Sequence, residues 1–252
     1  MMGETVDQRF ERLSRDRIQR PLPKRFYKSV TVTEQLGIAL DGRSVKTPLK
    51  AALVLPSSTL AEAVAAEWDA QVEFINPHAM PLTKLANTAI DRAVAEKSKI
   101  AAEILEFAGS DMICYRAESP SGLVLRQNTH WDPIITWAKS DLKASFEPTT
   151  TITHKRQSTA ALRSLEAHIV ALDPFSLVAV HSLTTLTGSA LLATMVAAEK
   201  IPADTAWAAA NVDEDWQIGT WGEDAEATAR RKGRLNEFSG CANFVKLARI
   251  RP

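Results

Sequence analysis

No formally charged residue lies between Pro174 and Ala198, a stretch long enough either to cross a bilayer or to require burial on nearly every side. Its polar content decides between the two. Ser176, His181, Ser182, Thr184, Thr185, Thr187, Ser189 and Thr194 are scattered through it, and in hydrocarbon each would need an internal hydrogen-bond partner. The stretch therefore predicts a central helix wrapped by other helices, with Gly188 and Ser189 allowing close approach, in a chain that is not an integral membrane protein. Such a helix needs a sizeable surrounding chain. The 252 residues, 45% hydrophobic and 24% charged, supply it and allow one or two domains at about 150 residues each.

Thirty basic residues balance thirty acidic ones, so the chain lacks the long-range field of a polyanion binder, and nucleic acid is not expected as a partner. The two cysteines, Cys114 and Cys241, are far apart and form no CxxC pair, which excludes a disulfide framework and a zinc ribbon. The first residues lack an apolar signal core, and their arginines alternate with Asp7, Glu11 and Asp16, unlike an acid-poor transit peptide. A cytoplasmic chain is expected.

Residues 1–24 are charged and close on Pro21 and Pro23, which predicts an arm. Phe26 to Thr33, Leu36 to Leu40 and Ala51 to Leu55 read as short strands, with a turn at Asp41-Gly42. Pro56-Ser57-Ser58 supplies a stop and an N-cap before a helix that carries Leu60, Val64 and Trp68 at spacing four. Asn76-Pro77 and Met80-Pro81 then interrupt the chain. Beyond them helical periods dominate, in Leu82 to Ala93, Ile100 to Phe107, Trp131 to Leu142, Ser164 to Leu172, Phe175 to Ala198 and Ala203 to Ala210. Thr149 to Thr153 suits an extended connection. The expected architecture is an α+β N-terminal domain with a small antiparallel sheet, residues 25–80, followed by a larger all-α helical C-terminal domain, residues 81–252.

Chemistry-bearing motifs are scarce. No GxGxxG, GxxxxGK[ST] or GxSxG spacing occurs, so neither a phosphate cradle nor a nucleophile elbow is encoded. His78, His130, His154, His168 and His181 are dispersed, without an HExxH pair, and no metal site is expected. No cofactor and no catalytic residue are assigned.

The informative cluster is Asp213-Glu214-Asp215-Trp216-Gln217 followed by Trp221-Gly222-Glu223-Asp224-Ala225-Glu226. Three readings apply. It is a solvated helical face, with Glu226 and Arg230 at spacing four and the tryptophans anchored in the core. It is an acid/base pair of a small-molecule hydrolase or transferase, drawn from Asp213, Glu214 and Asp224. Or it is an interface, in which tryptophans beside oriented acids engage a basic partner surface.

A resemblance weighs on this choice. Ala66-Glu67-Trp68-Asp69-Ala70-Gln71 and Met80-Pro81-Leu82-Thr83-Lys84-Leu85-Ala86-Asn87-Thr88-Ala89-Ile90-Asp91 resemble the signature of the assembly chaperones for the F-type ATP synthase α subunit. Arg116, Arg126-Gln127, Trp131-Asp132-Pro133, Leu186-Thr187-Gly188-Ser189 and the acidic tryptophan cluster follow in the family's order. The resemblance spans roughly Arg25 to Arg231. It implies a non-enzymatic chaperone that holds unassembled α subunit until the β subunit takes its place, needs no nucleotide, and has an N-terminal domain with β structure and a larger helical domain. It implies functional acids in the helical domain, which the cluster is placed to supply, making Asp213, Glu214, Gln217, Trp221, Glu223, Asp224 and Glu226 the candidate partner-binding residues. With no evident transit peptide at the N-terminus, the expectation is a bacterial, cytoplasmic member of that family, or a mitochondrial matrix protein if eukaryotic.

Overall fold

A computed structural model describes residues 22–151 and 153–249. Most of the expected arm, residues 1–21, lies outside the described residues. The N-terminal strands are short: β1 (Val30–Val32), β2 (Ile38–Leu40) and β3 (Arg43–Ser44) form an antiparallel sheet in that order. Leu40 pairs with Arg43 across Asp41 and Gly42, whose φ angles of 47° and 77° give the left-handed pair that a two-residue hairpin requires. Asp41 also accepts from the Lys28 and Ser29 amides, bonds that hold its carboxyl below the usual range. The expected strand at Ala51 to Leu55 adds only isolated pairings, Gly37 with Val54 and Lys46 with Ala52.

Helix α1 (Ser58–Asp69) starts where the serines predict, with the Ser57 hydroxyl accepting from the Leu60 amide at 3.2 Å. Leu60 and Val64 are fully buried, and Tyr27, Leu40, Ile75 and Met80 form a core against which Val30, Val45 and Trp68 pack. The proline punctuation becomes a 3₁₀ turn (Pro77–Ala79) and then α2 (Pro81–Thr88), with Pro81 in the first helical turn where its missing N–H is harmless. A π-helical turn (Ala89–Ala93) continues α2 and is followed by α3 (Lys97–Gly109).

The remaining helices are α4 (Ser121–Ser140), α5 (Thr159–Val170), α6 (Pro174–Thr187), α7 (Ala190–Ala197), α8 (Ala203–Ala210), α9 (Val212–Trp221) and α10 (Ala225–Ala248). No helix among the described residues is long and apolar enough to cross a membrane. The uncharged stretch is buried along most of its length, but as two helices rather than one. Gly188 at φ 69° ends α6, and the Ser189 hydroxyl caps α7 by accepting from the Leu192 amide at 3.0 Å. The glycine read as a site of close approach is thus a break: at that φ an L side chain is strained.

Two compact units emerge. Of the described residues, those from 22 to 97, 174–178 and 244–249 form one; 98–151, 153–173 and 179–243 form the other. In the first, the carbonyl of Leu247 accepts from the Thr59 hydroxyl at 3.0 Å and also from Ser57, and Phe244 stacks on Phe175. In the second, α4 packs against α7, α8 and α9.

Candidate functional site

The residues that carry the family resemblance fall into three buried or half-buried nodes. In the first unit, Glu67 accepts at one carboxylate oxygen from the Leu82 amide (2.7 Å) and at the other from the Thr83 amide (2.8 Å) and hydroxyl (2.7 Å). It caps α2 from a distance, satisfying two of the amides a helix start leaves orphaned. Burial outweighs these bonds and raises its pKa. Asp91 accepts from the Thr47 hydroxyl and, at 2.9 Å, the Leu49 amide, and so fixes the loop before the isolated strand pairings. Gln71 bridges the Glu67 carbonyl and the Asn76 amide.

In the second unit, Arg116 lies over the Trp131 ring at 5.1 Å, pairs with Asp132 at 3.0 Å, and donates through Nε to the Ile113 carbonyl at 2.8 Å. Burial pulls its pKa down, and Asp132 opposes that shift. The indole of Trp131, 1% exposed, donates to the Ala209 carbonyl at 2.7 Å and ties α4 to α8. The Leu186 to Ser189 motif forms the third node. There Asp111, wholly buried, accepts from the Ile113 amide (3.3 Å) and the Leu191 amide (3.0 Å), and desolvation pushes its pKa up to about 6. Cys114 beside it is buried, its thiol pushed up to about 12 by desolvation and then by the Asp111 charge.

The acidic cluster is different. It occupies α9, the turn at Gly222 and the start of α10, and most of it is exposed. Asp213 accepts from the amide of buried Gln127 at 2.7 Å; Gln127 in turn accepts from the Ala117 amide, also at 2.7 Å. Glu214 pairs with Arg234, Asp215 with Arg231, and Glu226 with Arg230 as its spacing predicts. Asp224 accepts from the Ala227 amide at 2.8 Å and so begins α10. Glu223 has no ion pair or hydrogen bond among the described residues.

The two tryptophans part company. Trp216 is half-buried: Arg126 lies over its ring at 5.3 Å, and a Cβ on Gly122 would fall 2.7 Å from the indole. Trp221, expected as a core anchor on the solvated-face reading, is instead 84% exposed. Helix α9 is held by Val212 and Trp216, so its last turn carries Trp221 outward without a buried pocket to receive it. Sequence reasoning passed over Leu125, 67% exposed on α4 one turn from Gly122 and beside Arg126. A lone leucine between polar residues gives no period to detect.

Trp221 and Gln217 are exposed at the end of α9, and Glu223 beyond them is exposed and without an internal pair among the described residues. The described residues contain no group of three His, Cys, Asp or Glu able to hold a metal ion.

The comparisons with known proteins define the class, that of chaperones. The profile of the family described as ATP12 chaperone protein matches residues 24–139. The crystal structure of Atp12 from Paracoccus denitrificans is 39% identical, with 90% of this chain and 99% of that one covered and a TM-score of 0.84. A structure of an aspartate-to-lysine variant of that P. denitrificans protein matches at the same identity and TM-score, over 90% and 98% of the two chains. A candidate chaperone from Agrobacterium tumefaciens is 41% identical, covered over 92% and 88%, with a TM-score of 0.86. The chain belongs to the ATP12 chaperone family, and its role is that of a chaperone in ATP synthase assembly.

Proposed function

We propose that this chaperone binds the unassembled α subunit of the ATP synthase and hands it over to the β subunit, without turning over nucleotide. The observation that carries this reading is the exposure of Trp221 beside Gln217 and Glu223 at the end of α9. An indole held in water gains most from a partner that buries it, and the neighbouring acids orient that partner through its basic groups. Asp213, Glu214, Asp224 and Glu226 contribute differently: their internal bonds fix the backbone from which the contact surface projects.

Release follows from competition. Surfaces of α that are meant for β self-associate when exposed, so a transient cover need only outbind wrong contacts between α subunits while being outbound by β. Purified components on a sizing column test this. The chain and folded α subunit comigrate at micromolar concentration, and added β displaces the chain. Failure of α to comigrate refutes the reading.

A further inference from the structure

Helix α10 is continuous but has two unlike parts. From Phe238 it is anchored: Phe238, Cys241 and Ala242 are buried, and the Phe238 ring lies 5.4 Å from that of Trp207. Before Phe238 the same helix stands in water. From Gln217, near the end of α9, to Glu237 only Ile218, Ala227 and Arg231 are half-buried, and every other residue is exposed. These residues form an outer hairpin, in which Gly222, Glu223 and Asp224 join the last turn of α9 to about 20 Å of α10.

Charge, rather than a core, closes this hairpin. Arg231 pairs with Asp215 and Arg234 with Glu214 between the two helices, while Arg230 pairs with Glu226 within α10. Pairs this exposed contribute little in water and less in salt. A helix this short is marginal on its own, so the outer part of α10 depends on those pairs and on the partial burial of Ile218 and Ala227.

Two glycines weaken it further. A Cβ added to Gly219 in α9 or to Gly233 in α10 would meet nothing within 4 Å, and neither residue has a positive φ. At Gly122, by contrast, the Trp216 ring occupies that space. Glycine inside a helix costs stability relative to alanine, and at these two positions neither a close approach nor a left-handed backbone requires it. We propose that the outer hairpin, residues 217–237, is a gate: it opens locally as a unit, and its opening sets how fast the chaperone lets its client go.

Trp221 connects opening to release. It sits at the tip, where its position depends on the closed hairpin. Opening withdraws the indole while the rest of the contact stays made, and leaves a competitor an edge from which to enter. That the client is the α subunit and the competitor β rests on the function proposed above; the opening itself does not.

Amide hydrogen exchange of the full chain tests the opening. The amides of residues 230–236 exchange about a hundredfold faster than those of Cys241 and Ala242. Raising salt from about 0.05 M to about 0.5 M speeds the first set about threefold and leaves the second unchanged, and Arg231→Gln does the same at low salt. Gly219→Ala combined with Gly233→Ala slows the first set about tenfold. Uniform exchange along α10, or exchange that ignores the glycine substitutions, overturns the proposal. So does exchange that slows as chain concentration rises, because a second copy then covers the hairpin.

Release is read with labelled α subunit chased by β. Gly233→Ala lets go about fivefold more slowly at unchanged Kd, since capture through the same opening slows equally, and Arg231→Gln lets go faster. Release at the wild-type rate from both variants overturns the gate. If the wild type captures no α subunit while the hairpin opens as stated, the function above fails and the opening stands.

Discussion

Glu67 and Trp221 lie in two stretches that mark the family, yet they do opposite things. The Glu67 carboxylate is spent entirely on backbone and side-chain donors of its own chain, whereas Trp221 is held out in solvent by a helix that has no use for its ring. The same contrast runs through the whole set. Asp91, Arg116, Gln127, Trp131 and Ser189 are all consumed in capping, pairing or packing, while exposed apolar side chains sit at Trp221, Leu125, Phe26 and Val72. A residue type that recurs in a motif can mark a joint of the fold just as well as a contact. Burial and hydrogen bonding separate the two, and spacing does not.

The contrast can be broken by substitution, and the largest effect is expected at the joint. Glu67→Ala strips the α2 amides and the Thr83 hydroxyl of their acceptor, at a cost of about 2–3 kcal/mol, the sum of a lost cap and unsatisfied donors. Denaturant melting measures it, and a loss under about 0.5 kcal/mol would place Glu67 among surface residues. Gly122→Ala comes next. Its methyl group would press on the Trp216 ring and should cost about 1–2 kcal/mol by overpacking, with a shift in tryptophan fluorescence as α9 moves.

Asp111 gives a smaller effect with a defined sign. Its folded pKa, about 6, lies above the ordinary aspartate value of 3.8, so the folded chain holds more protons than the unfolded chain between these values. Stability from this group is complete below the unfolded pKa and is lost as pH rises through the folded one. Going from pH 7 to pH 5 should therefore gain about 1 kcal/mol from Asp111. Glu67, also raised, acts in the same direction, so the comparison is between wild type and Asp111→Asn, in which the Asp111 share of the gain disappears.

Much of this was legible in the sequence. Asp41-Gly42, Ser57 and the Pro81 helix start are local signals whose geometry is set within a few residues, and the structure follows them. The start of α4 was not legible: Ser121 to His130 mixes glycine with polar residues and acquires its reason to be helical from Gln127 and Gly122, which meet α9 some ninety residues on. The continuous helix expected through Gly188 failed for a related cause. An apolar period cannot tell a straight helix from one broken by a left-handed glycine and restarted by a serine cap. Within the candidate site, the acids were found by type, but their partners Arg231 and Arg234 and the outward turn of Trp221 are tertiary facts.

Asp224 and Glu214 are consequently poor probes of binding, since reversing either charge removes a cap or an ion pair as well. Trp221 is the clean one. Trp221→Ala leaves a solvent-exposed position and should change the unfolding free energy by no more than about 0.5 kcal/mol, while the Kd for isolated α subunit, measured by titration of the labelled chain, rises at least tenfold. A variant that unfolds with the wild type and still binds α subunit at wild-type affinity would contradict the assignment of this surface.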